Sequence, residues 1–451
     1  MRITITKGLD IPISGAPTQV IKPSAPVRHV ALLGRDYVGL KPSMAVKVGD
    51  QVITGQTLFT DKKNPGVQFT APSGGVVTAI NRGERRLFES LVIQVNGKEQ
   101  VTFDIKEPNS NHQHDAEAIR ELLITSGLWT SLRTRPFGKV PTINAQPEAI
   151  FVTAMDSLPL APDPEFIISL SPDLFALGLR KIQLLSPHTY LCTKPGATIA
   201  GQHLPGITTH RFAGPHPAGL PSTHIHFVSP PAPGKEVWHI GYQDVIAIGH
   251  LFRTGHLPSG KIVALTGPSM KNPRLTRTLP GAAIDELCFD ETANNSCRLI
   301  SGSVLCGHRA HESSAYLGRY HQQVVALPEG DGSGLFSWLR FGADRFSSLP
   351  VFLSACNDLH STFRKPLMNT ATWGGKRAIF PIGTYEKVMP LDIIATSLLK
   401  SIATGNTEKA AELGCLELIE EDLALCSFVC PGKNNFGPML RRVLTTIEKE
   451  G

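Results

Sequence analysis

The sequence predicts a multidomain α/β plus β chain that ends in helices, and three observations lead there. Residues 46–59 and 69–80 alternate apolar and polar side chains around glycines, the period of half-buried strands joined by tight turns. Between 106 and 255, short apolar runs alternate with segments of helical spacing, the mark of an α/β layer. From residue 261 the strand pattern returns, and beyond residue 390 the apolar residues fall at helical intervals.

Composition supports this reading. The chain has 451 residues, 41% hydrophobic and 18% charged, enough apolar material for several cores. Its 41 glycines and 35 prolines favour many short elements over long helices. No apolar run approaches the roughly 20 residues that a spanning helix needs. The start, Met1-Arg2-Ile3-Thr4-Ile5-Thr6-Lys7, lacks the apolar stretch of a secretory signal. The net charge of +6 is spread along the chain, so no basic stripe for nucleic acid is expected.

In chain order, glycines 49 and 55 turn the first hairpin, and 91–95 closes the segment. Ala118, Ile119, Leu122 and Leu123 share one helix face, with Gly127 placed to end the helix. Residues 149–154 and 166–168 are short apolar runs, 173–185 reads as a helix then a strand, and 245–249 as a buried strand. Residues 262–267, a strand pair about Gly302, and 324–327 form a small β unit. Gly330-Asp331-Gly332-Ser333-Gly334 reads as a turn. Segments 392–401, 407–413 and 439–448 are helical, the last one amphipathic, and 417–425 is acidic and apolar. The expected divisions are 1–105, 106–255, 256–330 and 331–451.

Few residues offer chemistry. Of the eight cysteines (192, 288, 297, 306, 356, 415, 426 and 430), only Cys426 and Cys430 are close enough to be a ligand pair. His203, His210, His216, His224 and His226 crowd one stretch. On a strand, His224 and His226 would share a face and form a candidate metal pair, but no Cys or carboxylate lies nearby at ligand spacing. Hydrogen-bonded loop and strand histidines are the favoured reading. No nucleophile elbow or phosphate-binding glycine motif is present.

Residues 46–80 resemble biotinyl/lipoyl-type sandwich domains, with V-x-x-G-D-x-V-x-x-G-Q-x-L followed by A-P-x-x-G-x-V. Lys62 and Lys63 lie near the tip where such domains are modified, but Asn64-Pro65-Gly66 lengthens it, so two solvated turn lysines are expected. Residues 261–307 resemble the soluble-ligand-binding β-grasp (SLBB) domain, and the layer before it is then Rossmann-like. End to end, the chain resembles the A-subunit family of the bacterial Na+-translocating NADH:quinone reductase. The residues carrying this include Lys7-Gly8-Leu9-Asp10-Ile11-Pro12-Ile13, Ser126-Gly127-Leu128-Trp129, Arg133-Thr134-Arg135-Pro136-Phe137, Gly214-Pro215-His216-Pro217-Ala218-Gly219-Leu220, and the stretch from Glu421 to Lys433.

The resemblance implies a peripheral subunit without a spanning helix, on the cytoplasmic face of the inner membrane. Its partners would be subunits B to F, and the whole couples NADH oxidation and ubiquinone reduction to Na+ export. FAD, FMN, riboflavin and Fe–S would be held in those other subunits. Similar too are the flavin-bearing subunit of respiratory complex I and the Rnf C subunit. Those relatives carry a G-x-G-G-A-G-F-P loop that admits a flavin phosphate. Here the matching 132–139 stretch has lost most glycines, and Pro136 lacks an N–H, so neither FMN nor NADH is expected on this chain. Cys426 and Cys430-Pro431 match the last two ligands of a C-x2-C-x2-C-x3-C-P cluster, but Glu420 and Leu423 stand at the first two, so the motif reads as vestigial. The expected role is assembly and the quinone end of the pathway, with no independent catalytic centre. Arg133, Arg135, Phe137 and Lys139 are the candidate quinone contacts, since an aromatic ring can pack a quinone and a cation can hydrogen-bond its carbonyl. A stand-alone lipoyl-like carrier and a soluble oxidoreductase are the alternatives.

Overall fold

In a computed structural model, the chain is described over residues 1–105, 112–232, 234–293, 296–330, 346–347 and 368–450, with backbone alone at 112–114. Cys356 and residues 331–334 of the glycine-rich turn lie outside the described residues.

The N-terminal sandwich packs a four-stranded sheet (His29–Leu33, Phe88–Gly97, Gly74–Arg82, Gln51–Val52) against a three-stranded one (Pro42–Met44, Thr57–Asp61, Gln68–Thr70). Leu58, Phe59, Phe69, Val77, Leu91 and Ile93 fill its interior, and the Phe59 and Phe69 rings stack at 4.7 Å. The first two strands of the chain belong elsewhere. Arg2–Thr4 adds in parallel to Ile207–Ala213, and Thr18–Ile21 adds in parallel to Arg274–Thr278.

The α/β layer is a six-stranded sheet in the order Arg2–Thr4, Ile207–Ala213, His188–Thr193, Ala149–Thr153, Val237–Gly241, Arg133–Arg135. All pairings are parallel except the last, which is antiparallel at the edge. The second six-stranded sheet carries Lys261–Thr266 and Gln323–Pro328 as parallel inner neighbours. Cys297–Ser301 pairs with Gln323–Pro328, and the turn after it spans 302–307 before the two-residue strand His308–Arg309. The C-terminal region is helical, with Ala395–Thr404, Thr407–Glu412, Ala424–Val429 and Phe436–Glu450 closing a separate apolar core.

Three apolar runs fold otherwise than their pattern predicts. Residues 245–249 lie in the helix Tyr242–Thr254, and 166–168 in the helix Pro164–Ser169. Residues 183–185 end the helix Pro172–Ile182 as one 3₁₀ turn, not a strand. The two near 164–185 are the crossover between the parallel strands Ala149–Thr153 and His188–Thr193, and a helix buried on one side looks as continuously apolar as a core strand, which also holds for 245–249. Gly249 and Gly178 set how closely two of these helices cross. A β-carbon on Gly249 would lie 1.9 Å from the Leu174 carbonyl oxygen, and one on Gly178 would lie 2.1 Å from that of Val245.

Candidate functional site

The α/β sheet reverses direction at one place. From Ala149–Thr153 the chain builds outward through His188–Thr193 and Ile207–Ala213, then returns to lay Val237–Gly241 on the other side of Ala149–Thr153. Crevices that hold small molecules in α/β sheets form at such reversals, beyond the carboxyl ends of the strands. Thr153, Met155 and Asp156 follow one strand there, and Gly241 and Tyr242 follow the other. All of them line a cavity of about 640 Å3.

The other walls come from every part of the chain. Arg35 and Asp36 reach in from the sandwich, and Cys306, His308 and His321 from the β-grasp-type region. Glu420, Glu421 and Arg441 come from the helical region. Buried polar atoms here lack partners: Thr153 Oγ1, Tyr242 Oη and Glu421 Oε1 have no hydrogen bond among the described residues. Each such atom is unfavourable by about 1–3 kcal/mol unless water or a ligand meets it. Burial pushes the Asp156 carboxyl up to about 7 against one N–H donor, that of Leu158 at 2.8 Å. Burial lowers His308 to about 4 and keeps His239 and His321 neutral.

The four residues nominated from the sequence separate here. Arg133 lines the cavity, its guanidinium 4.4 Å above the Tyr320 ring and 3.8 Å from Glu421. Arg135 is fully buried behind that wall. Its Nε and Nη2 donate to Ser222 Oγ at 3.0 and 2.9 Å, and its Nη1 donates to Thr134 O and to His239 Nε2. Burial lowers its guanidinium to about 10. Phe137 and Lys139 turn toward the C-terminal helices. Phe137 packs against their core and its carbonyl accepts from Arg441 at 2.7 Å, while Lys139 pairs with Glu448. The loop between them closes on itself, because the N–H groups of Gly138 and Lys139 donate to Thr134 O and Oγ1.

Cys426 and Cys430 are buried in the helical core. Cys430 Sγ lies 3.1 Å from Tyr385 Oη and accepts the Asn434 N–H at 3.4 Å. Where a cluster ligand would stand, Glu420 instead makes a double ion pair with Arg441 at 2.6 and 2.7 Å, and Leu423 is core. Its acidic neighbours also find arginines. Glu421 faces Arg133 and Arg135, and Asp422 accepts from Ser222 Oγ at 2.7 Å, which in turn accepts from Arg135. Among the described residues, no group of three or more His, Cys, Asp or Glu is placed to hold a metal ion.

His224 and His226 do not share a strand face. They lie on the helix Pro221–Val228, on nearly opposite sides. His224 is buried and bonded to the Ala218 carbonyl, and His226 joins Glu417 at 2.6 Å and the Asp392 N–H at 3.1 Å. Pro221 at the first turn starts that helix, and the sheet requires it as a crossover. Lys62 and Lys63 are exposed beside Asp61, whose carboxylate accepts the Lys63 N–H. Asp156 and Tyr242 belong to no motif and escaped the sequence reading, and Glu421 opens the 421–433 stretch without a role of its own there. The usable signal was position: an acid just after the apolar strand 149–154.

Comparison with known proteins gives a consistent result. The chain matches the NqrA N-terminal barrel-sandwich hybrid domain over residues 3–96, the NqrA second alpha/beta domain over 114–257, and the NQRA C-terminal domain over 262–312. It is 51% identical over 449 residues to the A subunit of the Na(+)-translocating NADH-quinone reductase of Pseudomonas aeruginosa, covering 100% of both chains. The subunits of the same name from Pasteurella multocida (51% over 452 residues) and Actinobacillus pleuropneumoniae (52% over 455) are covered as fully. Among solved structures, an NAD+-reducing [NiFe]-hydrogenase matches 48% of each chain at 15% identity and a TM-score of 0.36, too distant a likeness to carry an argument.

Proposed function

We propose that this chain, which belongs to the A-subunit family of the Na+-translocating NADH-quinone reductase, serves the quinone end of that complex. In this reading it is a peripheral subunit on the cytoplasmic face of the bacterial inner membrane, docked on subunits B to F, which hold the flavins and the Fe–S centre. Among the described residues, no helix is long and apolar enough to cross a membrane. The division at residues 105, 255 and 330 is part of the same reading, with the first two strands acting as straps across it.

The observation that carries the proposal is the crevice at the sheet reversal. Its volume of about 640 Å3 is that of a small-molecule site, and charged and polar side chains converge on it from several elements. Arg133 offers N–H donors to a quinone carbonyl beside the flat Tyr320 ring. Arg135 holds the edge strand and the His239 ring in position behind it. Phe137 and Lys139 anchor the following loop to the helical region. No step on this chain is assigned to a flavin or cluster.

The test is equilibrium binding of ubiquinone-1 to the full chain, paired with NADH:quinone reductase assays on the assembled complex. Arg133→Ala should weaken ubiquinone-1 binding at least tenfold and raise the quinone KM, and the Arg135→Ala/Phe137→Ala pair should do the same through the wall. Unchanged affinity and turnover in both variants would overturn the reading. A tagged chain should also recover its partner subunits, with Na+-stimulated activity, from mildly solubilised membranes.

A further inference from the structure

Five acidic residues line the crevice: Asp36, Asp156, Asp244, Glu420 and Glu421. Four of them are matched by positive charge. Asp244 pairs with Arg319 at 2.7 Å, Glu420 with Arg441, and Glu421 faces Arg133 and Arg135. Asp36 has Arg35 beside it and accepts the Arg319 N–H at 2.7 Å. Asp156 has no cation partner among the described residues. Its single hydrogen bond comes from the Leu158 N–H to Oδ1, which leaves Oδ2 without one.

The groups around Asp156 are few and of one kind. Glu421 faces it from the 3₁₀ turn Glu420–Leu423, Cys306 from the turn at 302–307, and Tyr242 from the first turn of its helix. The Cys306 thiol and the Tyr242 phenol are both pushed up by burial and stay protonated. Arg133, which also lines the crevice, is held by Glu421. A half-buried carboxyl with no cation beside it and Glu421 facing it favours its protonated form, because ionising it would place an unpaired negative charge beside another. Beside it, Tyr242 Oη and Thr153 Oγ1 remain unpartnered in the wall.

We propose that Asp156 is the proton-carrying group of this crevice: protonated, it hydrogen-bonds one oxygen of the bound quinone and hands its proton to that oxygen on reduction. This rests on the quinone reading above. The two electrons come from the NADH oxidised by the complex. The Asp156 O–H bond breaks as an O–H bond forms on the quinone, leaving a carboxylate that regains its proton from solvent. The second proton comes from water. Arg133 stays charged throughout and orients the ring. A carboxylic acid that titrates near the working pH suits such a transfer, which is typically worth about 10²–10⁴ in rate.

Two measurements test this. The first is ubiquinone-1 binding to the full chain between pH 5.5 and 8.5. In the parent chain, affinity should fall at least fivefold as pH rises through about 7, as the donor becomes a carboxylate. Asp156→Asn should keep the low-pH affinity within about twofold and lose the pH dependence. Asp156→Glu should retain a shifted dependence. The second is the assembled complex. There Asp156→Asn should lower the kcat of quinone reduction at least tenfold with KM within about twofold, while NADH oxidation by ferricyanide stays at the parent rate. If the parent chain binds ubiquinone-1 and Asp156→Asn keeps the parent pH profile and kcat, the proton role is wrong and the quinone site stands. If the parent chain binds no ubiquinone-1 and the Arg133 variant leaves KM unmoved, the quinone reading falls and this inference falls with it.

Discussion

The crevice at the sheet reversal and the helical core around Cys426 and Cys430 differ in what surrounds their polar groups. In the helical core the Cys430 thiol is ringed by Tyr385 and Asn434 among apolar side chains. In the crevice, Thr153 and Tyr242 keep hydroxyls without a hydrogen bond among the described residues, and Asp156 keeps a carboxyl without a cation. Native interiors rarely leave such groups idle, and water or a ligand can meet those that face a crevice. The cysteines of the vestigial cluster motif sit in the apolar core, whereas Asp156 and Tyr242, which belong to no motif, line the crevice.

The largest expected effect would break the wall between the two regions. Arg135→Ala removes the buried cation that serves Ser222, Asp422 and Glu421, and should cost about 3–5 kcal/mol in urea unfolding of the full chain. A loss under about 1 kcal/mol would mean that the charge network is dispensable. Comparable in size is the acid response. Burial lowers His216 to about 4, His224 to about 3 and His308 to about 4. The unfolded chain therefore binds more protons, and stability should be lost as pH falls from about 6.5 toward 4. A melting temperature flat across that window would contradict the buried, neutral histidines.

Asp156 runs the other way and sharpens the contrast. Its folded pKa lies above its ordinary value of 3.8, so stability is present below about pH 4 and lost as pH rises through about 7. Asp156→Asn should raise stability by about 1–3 kcal/mol at pH 8 and change it little at pH 4. An equal effect at both pH values would mean that the carboxyl is not held neutral. Smaller still, Cys430→Ala should destabilise by about 1 kcal/mol, because the Asn434 N–H loses its acceptor. Smallest, Lys62→Ala/Lys63→Ala should stay within about 0.5 kcal/mol and leave the activity of the complex unchanged, as exposed turn residues do. Loss of activity would return attention to the sandwich tip.

By itself the sequence determined the local chemistry of turns and strands, and with it the family. Glycines at 49, 55 and 127 stand where the backbone adopts positive φ, and alternation at 46–59 and 69–80 needs no partner to be visible. Loss of a glycine cradle at 132–139 and of two thiolates at 420 and 423 is equally local. The tertiary structure decided the rest. Whether 245–249 is strand or helix depends on what it packs against, and the crossover from Ile207–Ala213 to Val237–Gly241 puts His224 and His226 on opposite sides of a helix. The crevice depends on strand order, which no window of sequence contains. Asp156, Tyr242 and Glu421 stand far apart along the chain and meet only because the sheet reverses between two strands and a helical region closes over it. A lone acid after an apolar run looks ordinary until its place in the crevice and its lack of a cation are seen together.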